Sequence, residues 1–227
     1  MGAPELIVML TNHDFTVPNA AEIFESCKYS DAKFWGMKEK GLPPDQMKQL
    51  FHAFREYGKT GALEVVAYTE DECLSGAKLA AECGCDILLG TMFCDSVNAF
   101  CKEQGIRYMP FVGQVSGRPS VLEGDVEDMV AQAQECVRKG AYGIDLLSYR
   151  YAGDPDLLSR ELVSKTGAPV CIAGSIDSFE RLDRMREIAP AFYTVGGAFF
   201  DQKFGEEISD QINRVCRYMK QPALAAR

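Results

Sequence analysis

Short runs of β-branched and other apolar residues alternate with longer segments of helical period from one end of this chain to the other. No other feature narrows the fold so far. The strand candidates are residues 6–11, 32–38, 62–68, 86–91, 108–113, 143–147, 170–173 and 192–195. Between them, apolar residues recur at spacings of three, four and seven, as in Met47, Leu50, Phe51 and Phe54, or Val126, Met129, Val130, Ala133 and Val137, or Ile208, Ile212 and Val215. Such stripes predict helices with one buried face. Asp154-Pro155 and Asp177-Ser178 read as N-caps, and Thr69 with Glu72 as a capping box. Gly58, Gly61, Gly84, Gly105, Gly140 and Gly167 fall between a helix and the next strand, where a C-cap needs positive φ. Eight strand–helix units without a break in composition predict a closed (β/α)₈ barrel, with residues 1–227 forming one domain.

The net charge of −9 opposes binding to phosphate backbones or anionic headgroups, so neither nucleic acid nor a membrane is an expected partner. There is no run of eighteen apolar residues, and Met1-Gly2-Ala3-Pro4-Glu5 shows no basic stretch ahead of an apolar one. A cytoplasmic protein is the expectation. The nine cysteines are odd in number and scattered, which reads as reduced thiols; Cys83 and Cys85 form an isolated CxC without a second cluster, a weak basis for a metal. Two copies pairing through strand-end loops or outer helices, a homodimer, is expected only from the habit of barrels of this size.

In a barrel, function lies at the C-terminal ends of the strands. The last two strand candidates end in small residues: "PVCIAGSID" places Gly174 and Ser175 there, and "FYTVGGAFF" places Gly196, Gly197 and Ala198. Small side chains let an anion approach backbone N–H groups, so these five are the candidate phosphate-binding residues; turns alone would also use them. The segments "AGSI" and "VGGAFF" resemble the ribulose-phosphate-binding barrel superfamily, which includes phosphoribosylanthranilate isomerase and ribulose-phosphate epimerase. The resemblance implies a substrate phosphate held by the backbone of Gly174, Ser175, Gly197 and Ala198. It carries over no catalytic set. The Asp-x-Lys-x-x-Asp signature of the orotidine and keto-gulonate phosphate decarboxylases is absent, His13 and His52 cannot supply the two-histidine, two-aspartate set of the epimerases, and the sixth strand holds no lysine.

Charged residues inside a barrel strand should face the lumen, because the helix layer offers them neither water nor partners. Lys38 ends the second strand, Glu64 lies in the third and Asp145 in the sixth. His13 and Asp14 follow strand one, and Arg150 follows strand six. The resemblance implies a carboxylate late in the barrel working with a group on strand one, a role Asp145 could fill opposite His13 or Asp14. Glu64 and Lys38 equally fit an ion pair that fills the interior; Asp14 fits a turn or cap, and His13 a hydrogen-bonding structural role. His52 reads as surface or helix packing, and Glu70 as a first-turn acid favoured by the helix dipole. The loop from Gly113 to Gly124 is the longest at a strand end and a candidate lid, with Gln114, Ser116 and Arg118 able to bind hydroxyls or a second anion. Tyr149 and Tyr151 either line the mouth or pack against that loop.

These residues fit an isomerase or epimerase acting on a small phosphorylated sugar or sugar acid, a small phosphorylated metabolite being the expected partner. A carboxylate would remove the proton next to the carbonyl, a second acid or His13 would return it, and Lys38 would stabilise the enediolate. Two alternatives stay open: a lyase or aldolase in which Lys38 forms a Schiff base, and a non-catalytic barrel that senses a phosphometabolite. No cofactor and no bound metal is required. Mg²⁺ assisting through Glu64 and Asp145, or an FMN phosphate at the same strand ends, stands as a further alternative, and flavin would show by its colour.

Overall fold

Alternating side-chain direction along each strand separates two cores, and the separation shows where the barrel lies. In this computed structural model, which describes residues 2–221, eight strands form one sheet: β1 (Glu5–Met9), β2 (Phe34–Lys38), β3 (Thr60–Val65), β4 (Ile87–Met92), β5 (Arg107–Phe111), β6 (Ile144–Leu146), β7 (Val170–Ile172) and β8 (Phe192–Val195). Met1 and residues 222–227, which the reading of 1–227 as one domain also takes in, lie outside the described residues. The order is β6-β7-β8-β1-β2-β3-β4-β5, with every neighbouring pair parallel. The remaining seam, between β5 and β6, is bridged where the Tyr142 N–H donates to the Tyr108 carbonyl at 2.9 Å. The expected eight-stranded barrel is therefore observed.

On β1, Leu6 and Val8 pack outward under the helices, while Ile7 and Met9 join Ala62, Ile87, Leu89, Met109, Cys171 and Phe192 inside the lumen. The same period of two sends Trp35 and Met37, Leu63 and Val65, and Ile144 and Leu146 outward. It thereby sends Lys38, Glu64 and Asp145 inward.

The outer layer holds α1 (Ala20–Cys27), α2 (Pro44–Glu56), α3 (Glu70–Cys83), α4 (Asp95–Gln104), α5 (Val126–Arg138), α6 (Pro155–Lys165), α7 (Phe179–Ile188), the short α8 (Gly197–Phe200) and α9 (Ile208–Lys220). The capping box of Thr69 and Glu72 starts α3, and Asp154 accepts from the N–H groups of Asp156 and Leu157 at the start of α6. Of the pair Asp177-Ser178, the serine is the cap of α7. Gly58, Gly84, Gly105, Gly140 and Gly167 have the positive φ expected after a helix. Gly61 does not: it lies inside β3, where a Cβ would come within 2.5 Å of the Phe51 ring. Close packing of α2 on the sheet, rather than a turn, requires glycine there.

All nine cysteines are free, and only Cys94 is not fully buried. Cys83 donates to the Pro44 carbonyl and Cys85 to that of Ile87, so the CxC thiols address separate acceptors and do not converge. Among the described residues no helix is long and apolar enough to cross a membrane. At the C-terminal end of the barrel, two antiparallel hairpins interrupt the strand–helix rhythm. One pairs Thr11–Asn12 with Phe15–Thr16 after β1, and the other pairs Gln114–Ser116 with Val121–Glu123 after β5.

Candidate active site

A cavity of about 380 Å³ opens among the C-terminal ends of the strands. Lys38 and Glu64 lie in it, His13 and Asp14 come from the hairpin after β1, and Arg150 comes from the 3₁₀ turn Ser148–Arg150 after β6. Gly174, Ser175, Gly196, Gly197 and Ala198 line it from the ends of β7 and β8. Ten of the eleven residues singled out in the sequence thus share one cavity. Asp145 is the exception.

Lys38 is the centre of the charged part. Its register partner across the β2–β3 ladder is Glu64, whose Oε1 lies 3.3 Å from Nζ, and Asp14 Oδ1 lies 2.8 Å from the same nitrogen. Burial alone would lower the lysine pKa, but the Glu64 charge and the hydrogen bond and charge of Asp14 outweigh it, so the ammonium is held above its ordinary value. Burial alone would raise the Asp14 carboxyl, and there the hydrogen bond and charge of Lys38, with Arg150 and Arg118, bring it below its ordinary value. Asp14 Oδ2 is buried without a hydrogen-bond partner. Arg150 Nη2 stands 4.0 Å from Asp14 Oδ1, the outermost contact of the cluster.

Asp145 points into the lumen but does not reach the cavity wall. It is 1% exposed, and neither carboxyl oxygen has a hydrogen-bond partner. Burial first, and the charge of Glu64 second, push its pKa well above the ordinary carboxylate range, with Lys38 opposing. In the short β6 it pairs in register with Cys171 on β7, it does not line the cavity that His13 and Asp14 line, and neither of them bonds its carboxyl. The expected Asp145 pair with a strand-one group is therefore not formed. Among the described residues no three His, Cys, Asp or Glu side chains are grouped to hold an ion.

The β7–β8 side is built differently. Gly174 has φ +90°, and a Cβ there would lie 3.0 Å from Arg150 Cγ, so glycine lets the arginine stem pass over the strand end. A Cβ on Gly196 would meet the Thr11 hydroxyl at 2.8 Å and its carbonyl at 2.9 Å, which explains that residue by packing against the hairpin after β1. At Gly197 a Cβ would meet only Asn12 Oδ1, at 3.3 Å, and otherwise project into open cavity. Gly197 and Ala198 begin α8, so their N–H groups have no intrahelical acceptor. Asp177 and Asp201 also line this side, Asp177 being paired with Arg181 at 3.0 Å.

Several expectations need correction. Gln114 and Ser116 lie outside the cavity wall; Pro119 and Ser120 of the same loop line it. Arg118 is engaged at 2.6 Å by Glu39 Oε1 and at 3.2 Å by the Asp14 carbonyl, so it is not free for a second anion. Tyr151 donates to the Gly124 carbonyl and Tyr149 to Asp156, which places both rings in the packing around the loop. Two readings hold: His52 is on the surface beside Glu56, and Glu70 in the first turn of α3 accepts from Ser96. Glu39 and Asp201 were missed, although both directly follow structured strand ends or their short helix, where barrel sites are found.

No family model matches the chain, and a comparison with curated proteins finds no match. Solved structures do. Tryptophan synthase from M. tuberculosis superposes with a TM-score of 0.70 at 11% identity, covering 97% of this chain and 94% of that one. The fold is a TIM barrel. Orotidine 5′-phosphate decarboxylase from Lactobacillus acidophilus matches at 0.66 and 12% identity over 96% and 100% of the two chains. N-acetylmannosamine-6-phosphate 2-epimerase from Clostridium perfringens matches at 0.63 and 12% over 86% of each. All three are enzymes by their names. At such identities the likeness establishes the fold and no individual family.

Proposed function

We propose that this barrel is an enzyme that binds a small phosphorylated sugar or sugar acid and moves a proton on the carbon next to its carbonyl, as isomerases and epimerases do. The observation that carries the reading is the pairing, in one cavity, of small-residue strand ends with a buried lysine held between two carboxylates. The phosphate would sit against the N–H groups of Gly174, Ser175, Gly197 and Ala198, with Arg150 as its charged neighbour. The carbonyl end would then face Lys38. When the ammonium turns to the substrate oxygen, Asp14 gives up its strongest partner and becomes more basic, which suits it to take the proton while Lys38 stabilises the enediolate. Glu64 keeps the lysine charged, and His13 at the mouth is placed to return a proton.

A Schiff base would need Lys38 neutral, and its two carboxylate neighbours work against that. A sensing barrel would need the anion cradle and no buried Lys38 cluster. Two of the similar structures are enzymes whose names contain a phosphorylated compound, which adds support to the substrate class. A cytoplasmic location and a homodimer belong to the proposal.

The test is proton exchange. A panel of aldose and ketose phosphates incubated with the protein in D₂O should show deuterium entering next to the carbonyl of at least one member, followed by NMR. Asp14→Asn should reduce that rate by about 10²-fold or more, the contribution typical of a general base. No exchange into any member would overturn the reading.

A further inference from the structure

The two hairpins at the barrel mouth meet through one side chain. Arg118, at the tip of the hairpin after β5, reaches across to donate from Nη1 to the main-chain carbonyl of Asp14 and from Nη2 to Glu39 Oε1. Glu39 follows Lys38 directly, so the clamp joins the ends of β1, β2 and β5. The guanidinium also stands over the Phe15 ring at 5.8 Å, and the Tyr68 hydroxyl donates to the Gly117 carbonyl at 2.9 Å, fixing the hairpin tip from the β3 side.

What the clamp holds is an unfavourable backbone. His13 and Asp14 are successive non-glycine residues with φ of +48° and +65°, a conformation costing roughly 1 kcal/mol or more for each. A two-residue hairpin loop takes positive φ at both positions, so the Asn12–Phe15 pairing imposes this conformation and Arg118 braces it from outside. With it fixed, Asp14 turns its carboxylate down onto Lys38 and its carbonyl up to Arg118.

We propose that Arg118 is a positioning residue: through the Asp14 carbonyl and Glu39 it holds the Asp14 carboxylate on Lys38, so that the state of the mouth hairpin sets the charge environment of the buried lysine. Movement of the 114–123 hairpin would carry Arg118 away, free the 13–14 turn to relax, and leave Lys38 with Glu64 as its one close carboxylate. Arg150, 4.0 Å from Asp14, would remain too distant to replace the clamp. Arg118 makes no contact with Lys38 itself. The inference rests on the clamp geometry and is independent of where a phosphate binds.

The experiment reads Lys38 directly and needs no substrate. The protein is labelled for a short time with acetic anhydride, and acetylation of each lysine is quantified by peptide mass spectrometry. Arg118→Ala should increase the Lys38 rate by about tenfold, the change that one pKa unit represents, while the other lysines keep theirs. Arg118→Lys, which can satisfy one of the two acceptors, should fall between. In Asp14→Asn the Lys38 rate should already be raised, and adding Arg118→Ala should raise it no further, because the arginine acts through that carboxylate. An unchanged rate in Arg118→Ala, or effects that multiply in the double variant, overturns the proposal. Should Arg118→Ala not fold, Glu39→Gln removes the charged anchor alone, and an unchanged Lys38 rate there overturns it equally.

Discussion

The two walls of the cavity are built by opposite means. On the β7–β8 side the groups of the proposed cradle are main chain, left uncovered because Gly174 and Gly197 carry no side chain, with the acids Asp177 and Asp201 nearby. On the β1–β3 side they are side chains, with Lys38, Asp14 and Glu64 compensating one another at 2.8 and 3.3 Å. A backbone cradle has nothing to titrate and depends on shape. A side-chain cluster depends on every member keeping its charge, since a buried ion that loses its partner keeps its full desolvation penalty. The proposed cradle should therefore be sensitive to added bulk and less sensitive to pH than the side-chain cluster, which should show the reverse.

The largest effect that would break this contrast is expected at Lys38. Lys38→Met keeps an unbranched side chain one atom shorter and leaves Asp14 and Glu64 without the cation between them, with Arg150 remaining 4.0 Å from Asp14. A loss of about 3 kcal/mol in urea unfolding at neutral pH is expected, the usual result of removing one partner of a buried pair. The loss should shrink as pH falls into the carboxylate range and the two acids take up protons. A melt that matches wild type at neutral pH would mean the cluster is far better hydrated than its burial indicates.

Next in size is Gly197→Val, which tests the other wall. The new side chain would enter the space in front of the α8 N–H groups, and the proposed cradle should bind inorganic phosphate at least about tenfold more weakly, or ~1.4 kcal/mol. Gly197 does not have positive φ, so β-branching adds no backbone strain and the melt should stay near wild type. Ser175→Ala in the same calorimetric titration should cost about threefold or less, since a hydroxyl adds one hydrogen bond of modest net worth. Equal affinity in all three proteins would reduce the glycines to packing devices, as Gly196 already is.

The difference between the walls also decides what could be read from the sequence. Strand and helix periodicity marks the barrel, and alternation alone sends Lys38, Glu64 and Asp145 to the lumen, because each is flanked by residues that belong under helices. Small residues at two successive strand ends mark the β7–β8 wall. Depth within the lumen was not legible: Lys38 and Asp145 obey the same parity, yet one lines the cavity and the other does not, and the tilt and stagger of a closed sheet set that height. Nor could the Arg118 clamp be read. It joins residues 79 and 104 positions away, and a charged residue in a long loop looks the same whether it meets a ligand or a carbonyl.

The smallest effect separates Asp145 from both walls. Its carboxyl is raised well above the ordinary value of 3.8, with burial the main cause and Glu64 the second, so the folded protein keeps a proton that the unfolded chain has released. Between those two values the folded state binds more protons, and stability falls as pH rises through that window. Asp14 has the opposite sense, and Lys38 has the same sense but at higher pH. The lowered Asp14 value adds stability that is lost as pH falls, and the raised Lys38 value adds stability that is lost only as pH rises past the ordinary lysine range. Asp145→Asn removes one of these contributions and leaves the other two, so subtracting the unfolding free energies of the two proteins cancels what they share. From the ordinary carboxylate value up to neutral pH, the difference should move steadily in favour of the asparagine variant. A difference that stays constant would mean that Asp145 ionises with its ordinary pKa, which requires water or a cation at its two unpartnered oxygens. The cavity would then extend past Lys38 to β6, and Asp145 would belong to the side-chain wall.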